Sequence, residues 1–362
     1  MKLTDVVDRI NGNVDRFTTD LEYYIGGEHF ESNELEVTQR GLLKENLGKL
    51  GFKFHFAFQD RDVVFMARNP HLRKAGMVRF AGLCSDASYI LRSKDESVLS
   101  QEYLAVMLQS DHFWDYCESH KVGSVNFANN WSSIANYEFE LPSAEKQKEI
   151  SDKVWAAYRL KESYKKLLAA TEEMVKSQFI EMFGTIDEPK VEVKKLIDVV
   201  LSSGQYGSNT SATDYQEGKP RYIRITDIND DGSLNDDIKT AEVIEDKYRL
   251  IPGDIVFART GATVGKTYMH EKGNAIYAGY LIKYQMNESK MKPAFMKAFT
   301  HSKTYYNWVA NSQKVGAQPN ISAAQYDNMP VLVPQIEKQE EFLAIYHQAD
   351  KSGSVLQYMI AC

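Results

Sequence analysis

The sequence predicts an α+β protein made of two duplicated globular units joined by long helices. Three observations carry this: an uninterrupted helical stretch in the middle of the chain, a proline followed by Glu-Lys-Gln at two places, and a series of short matches at near-constant spacing. The central stretch runs from Ser143 to Phe183 without proline or glycine until Gly184. Apolar or small residues recur at Ile150, Val154, Ala157, Leu160, Tyr164, Leu168, Thr171, Val175, Phe179 and Met182. These steps of three and four mark one helix face. Ser143 after Pro142 suits an N-cap, Glu145 complements the helix dipole and Gly184 is a stop signal. A helix of that length spans about 60 Å.

The matches are ordered. Leu141-Pro142 with Glu145-Lys146-Gln147 returns 192 residues later as Val333-Pro334 with Glu337-Lys338-Gln339. The same offset relates Tyr103–Ser110 to Phe295–Ser302 and Asp62-Val-Val-Phe65 to Asp254-Ile-Val-Phe257. Lys121-Val-Gly123 matches Lys314-Val-Gly316 at an offset of 193. Several matches in one order indicate an internal duplication. The boundaries follow: 1–142 a first domain, 143–184 a long helix, 185–334 a second domain, 335–362 a second, shorter helix.

Within the first copy, Asp5–Phe17 and Val37–Leu50 are expected as helices. The alternation in Phe52–Phe58 predicts a half-buried strand, and Val63–Met66, Met77–Phe80 and Ala87–Leu91 read as further strands. Leu72–Gly76 is a basic loop, Ser100–Cys117 one helix, Lys121–Phe127 a polar loop and Asn136–Leu141 a closing strand. In the second copy, Ser202–Ser211 is a small-residue loop, Arg221–Ile225 a strand and Asp227–Gly232 a turn. Ile255–Phe257 is a strand, Arg259–Lys266 a loop, Ala275–Tyr284 strand-rich and Pro293–Asn311 a helix. Val315–Ile321 is a second polar loop and Met329–Val333 the closing strand. The last helix runs from Gln335 to about Ile360, and Ser352-Gly353-Ser354 is expected to fray it.

Composition bounds the function. The 362 residues are 43% hydrophobic and 26% charged, ordinary for a globular chain, with no apolar run long enough for a membrane helix. The acidic start is unlike a signal peptide, and Cys84, Cys117 and Cys362 form no CxxC pair. A reducing cytoplasm is expected. The net charge of −7 argues mildly against nucleic acid. Its distribution softens that: 63–85, 255–270 and 289–326 hold basic residues and no acid.

Catalytic motifs are weak. Gly261-Ala-Thr-Val-Gly265-Lys266-Thr267 has three residues before Gly-Lys where a phosphate loop needs four. Asn69-Pro70-His71 lacks the second proline and aromatic residue of an amino-methyltransferase motif, and no glycine-rich adenosylmethionine loop is evident. No zinc-protease motif occurs among the eight histidines, His112 and His120 read as surface or packing residues, and Asp60 and Asp62 lack a nuclease spacing. No catalytic residue, metal or cofactor is assigned. The polar loops read differently. Arg259, Thr260, Thr263 and Lys266 supply donors among glycines that permit close backbone approach. Lys314, Gln318 and Asn320 form a second cluster, and Tyr206, Tyr222 and Arg224 join the same candidate face. Asn and Gln suit adenine edges, and Arg and Lys suit guanine edges or phosphate. The first-copy candidates are Arg68, Arg73, Lys74, Arg79, Lys121, Ser124 and Asn126.

On these residues the layout resembles the DNA-specificity subunit of type I restriction-modification systems. The resemblance is carried by Tyr222-Ile-Arg-Ile-Thr-Asp227-Ile228, by Pro252-Gly253-Asp254 through Arg259-Thr-Gly261 to Gly265, by Ser312–Ile321, by Val333-Pro334 with Glu337-Lys338-Gln339 and by Ala349-Asp350-Lys351. The first copy departs from the pattern: Arg61-Asp62 replaces Gly-Asp, and no glycine-rich loop follows Arg68. The resemblance implies two target-recognition domains, each reading half of a bipartite, asymmetric double-stranded DNA site. It implies two antiparallel coiled-coil helices that set the unread spacer and dock two methylation subunits and a restriction-motor subunit, which hold the catalysis. Two other readings are a stand-alone restriction or methylation enzyme with a cryptic site and a two-domain scaffold that binds protein only. A methyltransferase loop would favour the first, and absence of salt-dependent DNA binding the second.

Overall fold

A computed structural model of the chain describes residues 1–124, 127–313 and 319–361. The chain divides into two compact units, Met1–Ser163 and Tyr164–Cys362.

The first unit is organised on the strand Val63–Met66, whose four residues are all buried. One face, with Val63 and Phe65, packs on Leu104, Phe113 and Trp114. The other, with Val64 and Met66, packs on Ile25, Phe58 and Ile90. A strand covered on both faces reads as a continuous apolar run, which is why this one does not alternate. It lies third in a five-stranded sheet ordered Val7–Ile10, Ser88–Ser93, Val63–Met66, Ala75–Val78, Glu36–Val37. A second sheet runs Gly41–Leu42, Tyr23–Tyr24, Gly82–Ser85, Phe54–Phe58.

The second unit repeats the device. In Asp254–Ala258, Ile255 and Phe257 face one cluster while Val256 and Ala258 face another. Its sheets are ordered Gln205–Tyr206, Leu281–Gln285, Asp254–Ala258, Thr267–Met269 and Ala212–Asp214, Lys239–Ala241, Arg221–Ile223, Ala275–Tyr277, with a two-stranded pair of Glu192–Lys195 and Pro330–Val333.

The Glu-Lys-Gln signal has a physical use. Gln147 is buried at the start of the long helix; its amide donates to Val98 O (2.8 Å) and Pro142 O (3.0 Å) and accepts from Ser100 N–H (3.1 Å). Gln339 donates to Lys290 O (2.8 Å) and Pro334 O (2.9 Å) and accepts from Lys292 N–H (2.9 Å). Every partner lies 192 residues beyond its equivalent. The glutamine ties three partly buried backbone groups to the start of the helix. Other contacts recur likewise. Val7 pairs with Ser93 and Val200 with Met286, each an offset of 193.

Several expected elements differ. Asp5–Phe17 is not a helix: Leu3–Val6 is one helical turn that hands over to Val7–Ile10 in the sheet. Val37–Leu50 holds two strand fragments, Glu36–Val37 and Gly41–Leu42, before a short helix at Leu43–Asn46, because Val37 is drawn into parallel pairing with Val78. Ser100–Cys117 is two helices, Gln101–Met107 and Asp111–Ser119. Ser110 splits them by donating to Met107 O and capping Phe113 N–H, the competition a serine offers inside a helix. Ser302 does the same between Pro293–Thr300 and Lys303–Asn311. Asn136–Leu141 forms no extended strand; it pairs with the segment Met1–Leu3 through one bridge, Lys2 with Glu138, and the bonds Leu3 N–H to Tyr137 O (2.8 Å) and Phe139 N–H to Met1 O (3.0 Å).

The long helix is continuous over Ala144–Phe183, 40 residues. Ser143 Oγ accepts from Lys146 N–H (3.3 Å), and Gly184 follows at φ +76°. In the first unit Trp155 and Tyr158 seat the helix on the core, while Val154 and Leu160 of the apolar stripe stay exposed. In the second unit the rings of Phe179 and Phe183 pack on Phe295 and Phe342. The last helix, Ile336–Ala361, runs through Ser352-Gly353-Ser354 without a break, and a side chain added at Gly353 would touch Leu168. Its close packing there keeps the expected fraying from occurring. Among the described residues no helix is long and apolar enough to cross a membrane, and no cluster of His, Cys, Asp and Glu could hold a metal ion.

Candidate nucleic-acid interface

The strand Asp254–Ala258 delivers Arg259 to the surface of the second unit. Arg259 N–H donates to Tyr280 O (3.1 Å), and its carbonyl accepts from Ile321 N–H (2.8 Å). Thr260 pairs with Asn320, and Pro319 O accepts from Thr260 Oγ1 (3.2 Å) and Gly261 N–H (3.0 Å). Thr263 Oγ1 turns back to Thr260 O (3.3 Å). The fold thus gathers Arg259, Thr260, Thr263 and Asn320. Gly261 and Gly265 sit at φ +72° and +88°, and a Cβ at Gly265 would lie 2.7 Å from Val309, so this turn requires glycine there.

Tyr206 joins them from the strand Gln205–Tyr206. The Arg259 guanidinium lies 4.8 Å from the centre of its ring, a cation–π contact worth about 0.5–1 kcal/mol at an exposed site. Tyr206 is 43% exposed and Tyr280, beside Arg259, 61%. Sequence reasoning missed Tyr280; its signal was an aromatic residue in a Gly-Tyr turn. Arg259 forms no ion pair among the described residues, and its Nε has no partner there.

Other candidates of the second copy serve the fold. Tyr222 is only 3% exposed; its hydroxyl lies 2.7 Å from Ser208 O and 3.0 Å from Thr210 O, and burial pushes its phenol pKa up. Arg224 clamps the buried Asp227 (Nε–Oδ2 3.1 Å) and reaches Asp237 (2.8 Å). These two leave the contact face, because a hydroxyl and a guanidinium already committed to the fold have little left to offer a partner. Lys266 pairs with the exposed Asp230 (2.8 Å). Lys314 and Gln318 lie outside the described residues.

In the first unit Asn69 N–H donates to Phe127 O (2.8 Å) and Arg68 bridges Ala128, matching Gly261 with Pro319 and Thr260 with Asn320. Arg68 therefore stands at the place of Thr260, and Ala67 at that of Arg259. Arg68 is exposed with no ion pair among the described residues. The remaining cations are engaged: Arg73 with Asp111 (2.6 Å), Arg79 with Glu36 (2.8 Å), Lys74 with Gly27 O (2.6 Å) and Lys121 with Glu118 (2.5 Å). Ser124 is exposed, and Asn126 lies outside the described residues. Among the described candidates, Arg259 and Arg68 are thus the guanidiniums without an ion pair, each beside the polar turn that follows its unit's central strand.

Residues 188–356, which contain the Arg259 turn, match the model of the type I restriction modification DNA specificity domain. This part of the chain, just under half of it, is similar to that family. The matched segment includes Tyr206, Arg259, Tyr280 and Asn320. In fold, the whole chain is similar to the S subunit of a type I restriction-modification system from M. genitalium, with a TM-score of 0.62 and 12% identity over 100% of this chain and 91% of that one. It is also similar to a chain from a structure describing complex assembly and conformational transition of a type I R-M system, with a TM-score of 0.56 and 17% identity over 100% and 92%. None of the curated proteins compared with the chain matches it.

Proposed function

We propose that this chain is the sequence-specific DNA-binding subunit of a type I restriction-modification complex, each unit reading one half of a bipartite, asymmetric site. The observation that carries the reading is the specificity-domain match across the turn that holds Arg259 uncommitted over Tyr206. Recurrence of the glutamine, serine and strand contacts at offsets of 192 and 193 supports a duplicated origin for the two units. Contact order supports an antiparallel helix pair: Phe179 meets Phe342, whereas Leu168, earlier in its helix, lies beside Gly353, later in the other. The pair sets the unread spacer, as protein geometry sets half-site spacing elsewhere. Leu167 and Met174, seven residues apart and about half exposed, suit the docking of partner helices.

On this reading Arg259 reads a guanine edge, Asn320 an adenine edge, and Thr260, Thr263, Tyr206 and Tyr280 line the groove. Lys266 exchanges Asp230 for phosphate, and Arg68 leads in the first unit, with Arg73, Lys74, Lys121 and Ser124 as further candidates; Arg79 stands at the opposite end of the central strand, beside Glu36 and Trp155, apart from that turn. The chain carries no catalytic role. Two methylation subunits and a restriction subunit supply catalysis in the cytoplasm and neutralise DNA that a chain of net charge −7 does not. Adenine-methylation mapping of a genome, with and without this chain beside its methylation subunit, tests this. A split motif that disappears with the chain is expected; an unchanged pattern from an assembled, active complex rejects the proposal.

A further inference from the structure

The Tyr206–Arg259 pair rests on a support absent from the first unit. Asp327 ends the five-residue helix Ala323–Asp327, which follows directly on the Pro319–Ile321 segment bonded to Arg259 and Gly261. Its Oδ1 accepts from Gly204 N–H (3.2 Å) and lies 2.8 Å from the buried Tyr284 hydroxyl; its Oδ2 accepts from Ser203 Oγ. Ala323 N–H, at the start of the same helix, donates to Tyr206 Oη (3.0 Å). Gly204 is pressed so closely that a Cβ would stand 2.4 Å from Tyr284 Oη. The stretch Ser203–Tyr206 is thus pinned at both ends to one short helix, whose preceding segment holds Arg259. In the first unit the residues 192 and 193 positions earlier than Asp327 and Tyr284 are Ala135 and Leu91, which cannot form this anchor.

We infer that Asp327 is a positioning residue for sequence readout by the second unit: it holds Ser203–Tyr206 so that the Tyr206 ring fixes the direction in which Arg259 presents its donors. The inference rests on the DNA-reading role proposed above. Bidentate recognition of a base edge depends on the orientation of a planar guanidinium. An arginine on an unsupported surface turn must be ordered on binding, which costs affinity for the right base without changing phosphate contacts. Both Asp327 oxygens are engaged inside the protein, so Asp327 acts through Tyr206 and not by touching DNA.

The test uses the full chain assembled with its methylation subunits, and duplexes carrying the site found by methylation mapping. Anisotropy titrations at several salt concentrations compare the intact site with duplexes mismatched in one half at a time. The half read by the second unit is the one whose mismatch penalty Arg259→Ala removes. Asp327→Ala is expected to lower that penalty about tenfold, with the other half-site's penalty and the salt slope unchanged. Asp327→Asn retains most of the penalty, since its carbonyl oxygen still accepts from Gly204. Ser203→Ala, which removes one tether without loading the fold, gives a smaller loss in the same penalty. Unchanged penalties in folded Asp327→Ala and Ser203→Ala, or equal losses at both half-sites, overturn the positioning role alone. A wild-type complex with no penalty at either half-site overturns the DNA reading and this inference with it.

Discussion

The turn after the central strand is built from different residues in the two units, yet its backbone is alike. The second unit places Gly261 and Gly265 at φ +72° and +88°, and the first places Asn69 and Arg73, each 192 residues earlier, at +53° and +48°; just before the strand, Gly253 (+93°) and Arg61 (+69°) correspond in the same way. Each turn is closed by the same bond, Ala258 N–H to Lys266 O (2.8 Å) in one and Met66 N–H to Lys74 O (2.9 Å) in the other. A left-handed conformation costs a side-chain-bearing residue about 1–2 kcal/mol, least for asparagine. Arg61 recovers part by bridging Glu96 and Glu102, and Arg73 by pairing with Asp111, though exposed pairs contribute little. The comparison teaches that tertiary hydrogen bonding imposes this turn, and that glycine makes it cheap without being what defines it.

The largest test of equivalence lies in the glutamines. Gln147→Ala and Gln339→Ala each release three partly buried backbone groups, and each is expected to destabilise its own unit by about 2–3 kcal/mol in denaturant unfolding. A large cost at one site and none at the other breaks the comparison. The turns come next. Gly265→Ala, strained and pressed on Val309, should cost about 2 kcal/mol, whereas Arg73→Gly should leave stability level or raise it by up to about 1 kcal/mol. Thermal melts showing the same sign for both would refute the claim that the first turn is strained.

Binding separates the two kinds of cation. Arg259→Ala and Arg68→Ala should each relax discrimination in one half-site by about 1–3 kcal/mol, while Lys266→Ala should weaken binding to all sequences and lower the salt slope by about one. A slope that does not change would leave Lys266 with Asp230 and outside the interface. The smallest effect concerns pH and belongs to the second unit alone. Burial holds His301 below its ordinary pKa, against the opposing bond to Lys297 O (2.7 Å) and the charge of Asp231, with Lys297 and Lys176 adding to the lowering. Between the ordinary value and the depressed one the unfolded chain binds the extra proton, so stability is present above that window and is lost as pH falls through it. His301→Gln should flatten this part of the stability–pH curve; an unaltered curve assigns the acid sensitivity elsewhere.

The chain's own pattern determined the large elements. An uninterrupted period of three to four with a serine before it and a glycine after it specified the long helix, because those local terms act without tertiary help. Ordered matches such as Leu141-Pro142 and Val333-Pro334 pointed to the pairs of equivalent contacts, such as those of Gln147 and Gln339, that the two units contain. The Arg259 turn was legible as a candidate because its donors and glycines are contiguous. Tertiary structure alone decided the rest. Side-chain patterns cannot show that Ser110 would divide a helix, or that Val37 would leave a helical register to pair with Val78. Nor could they show which cations would be free: Arg73 reads like Arg259 until Asp111, far from it in sequence, arrives beside it. The support of Tyr206 by Asp327 joins residues from opposite ends of the second unit. Such contacts depend on which distant segments the core brings together, and the spacing of residues along the chain carries no record of that.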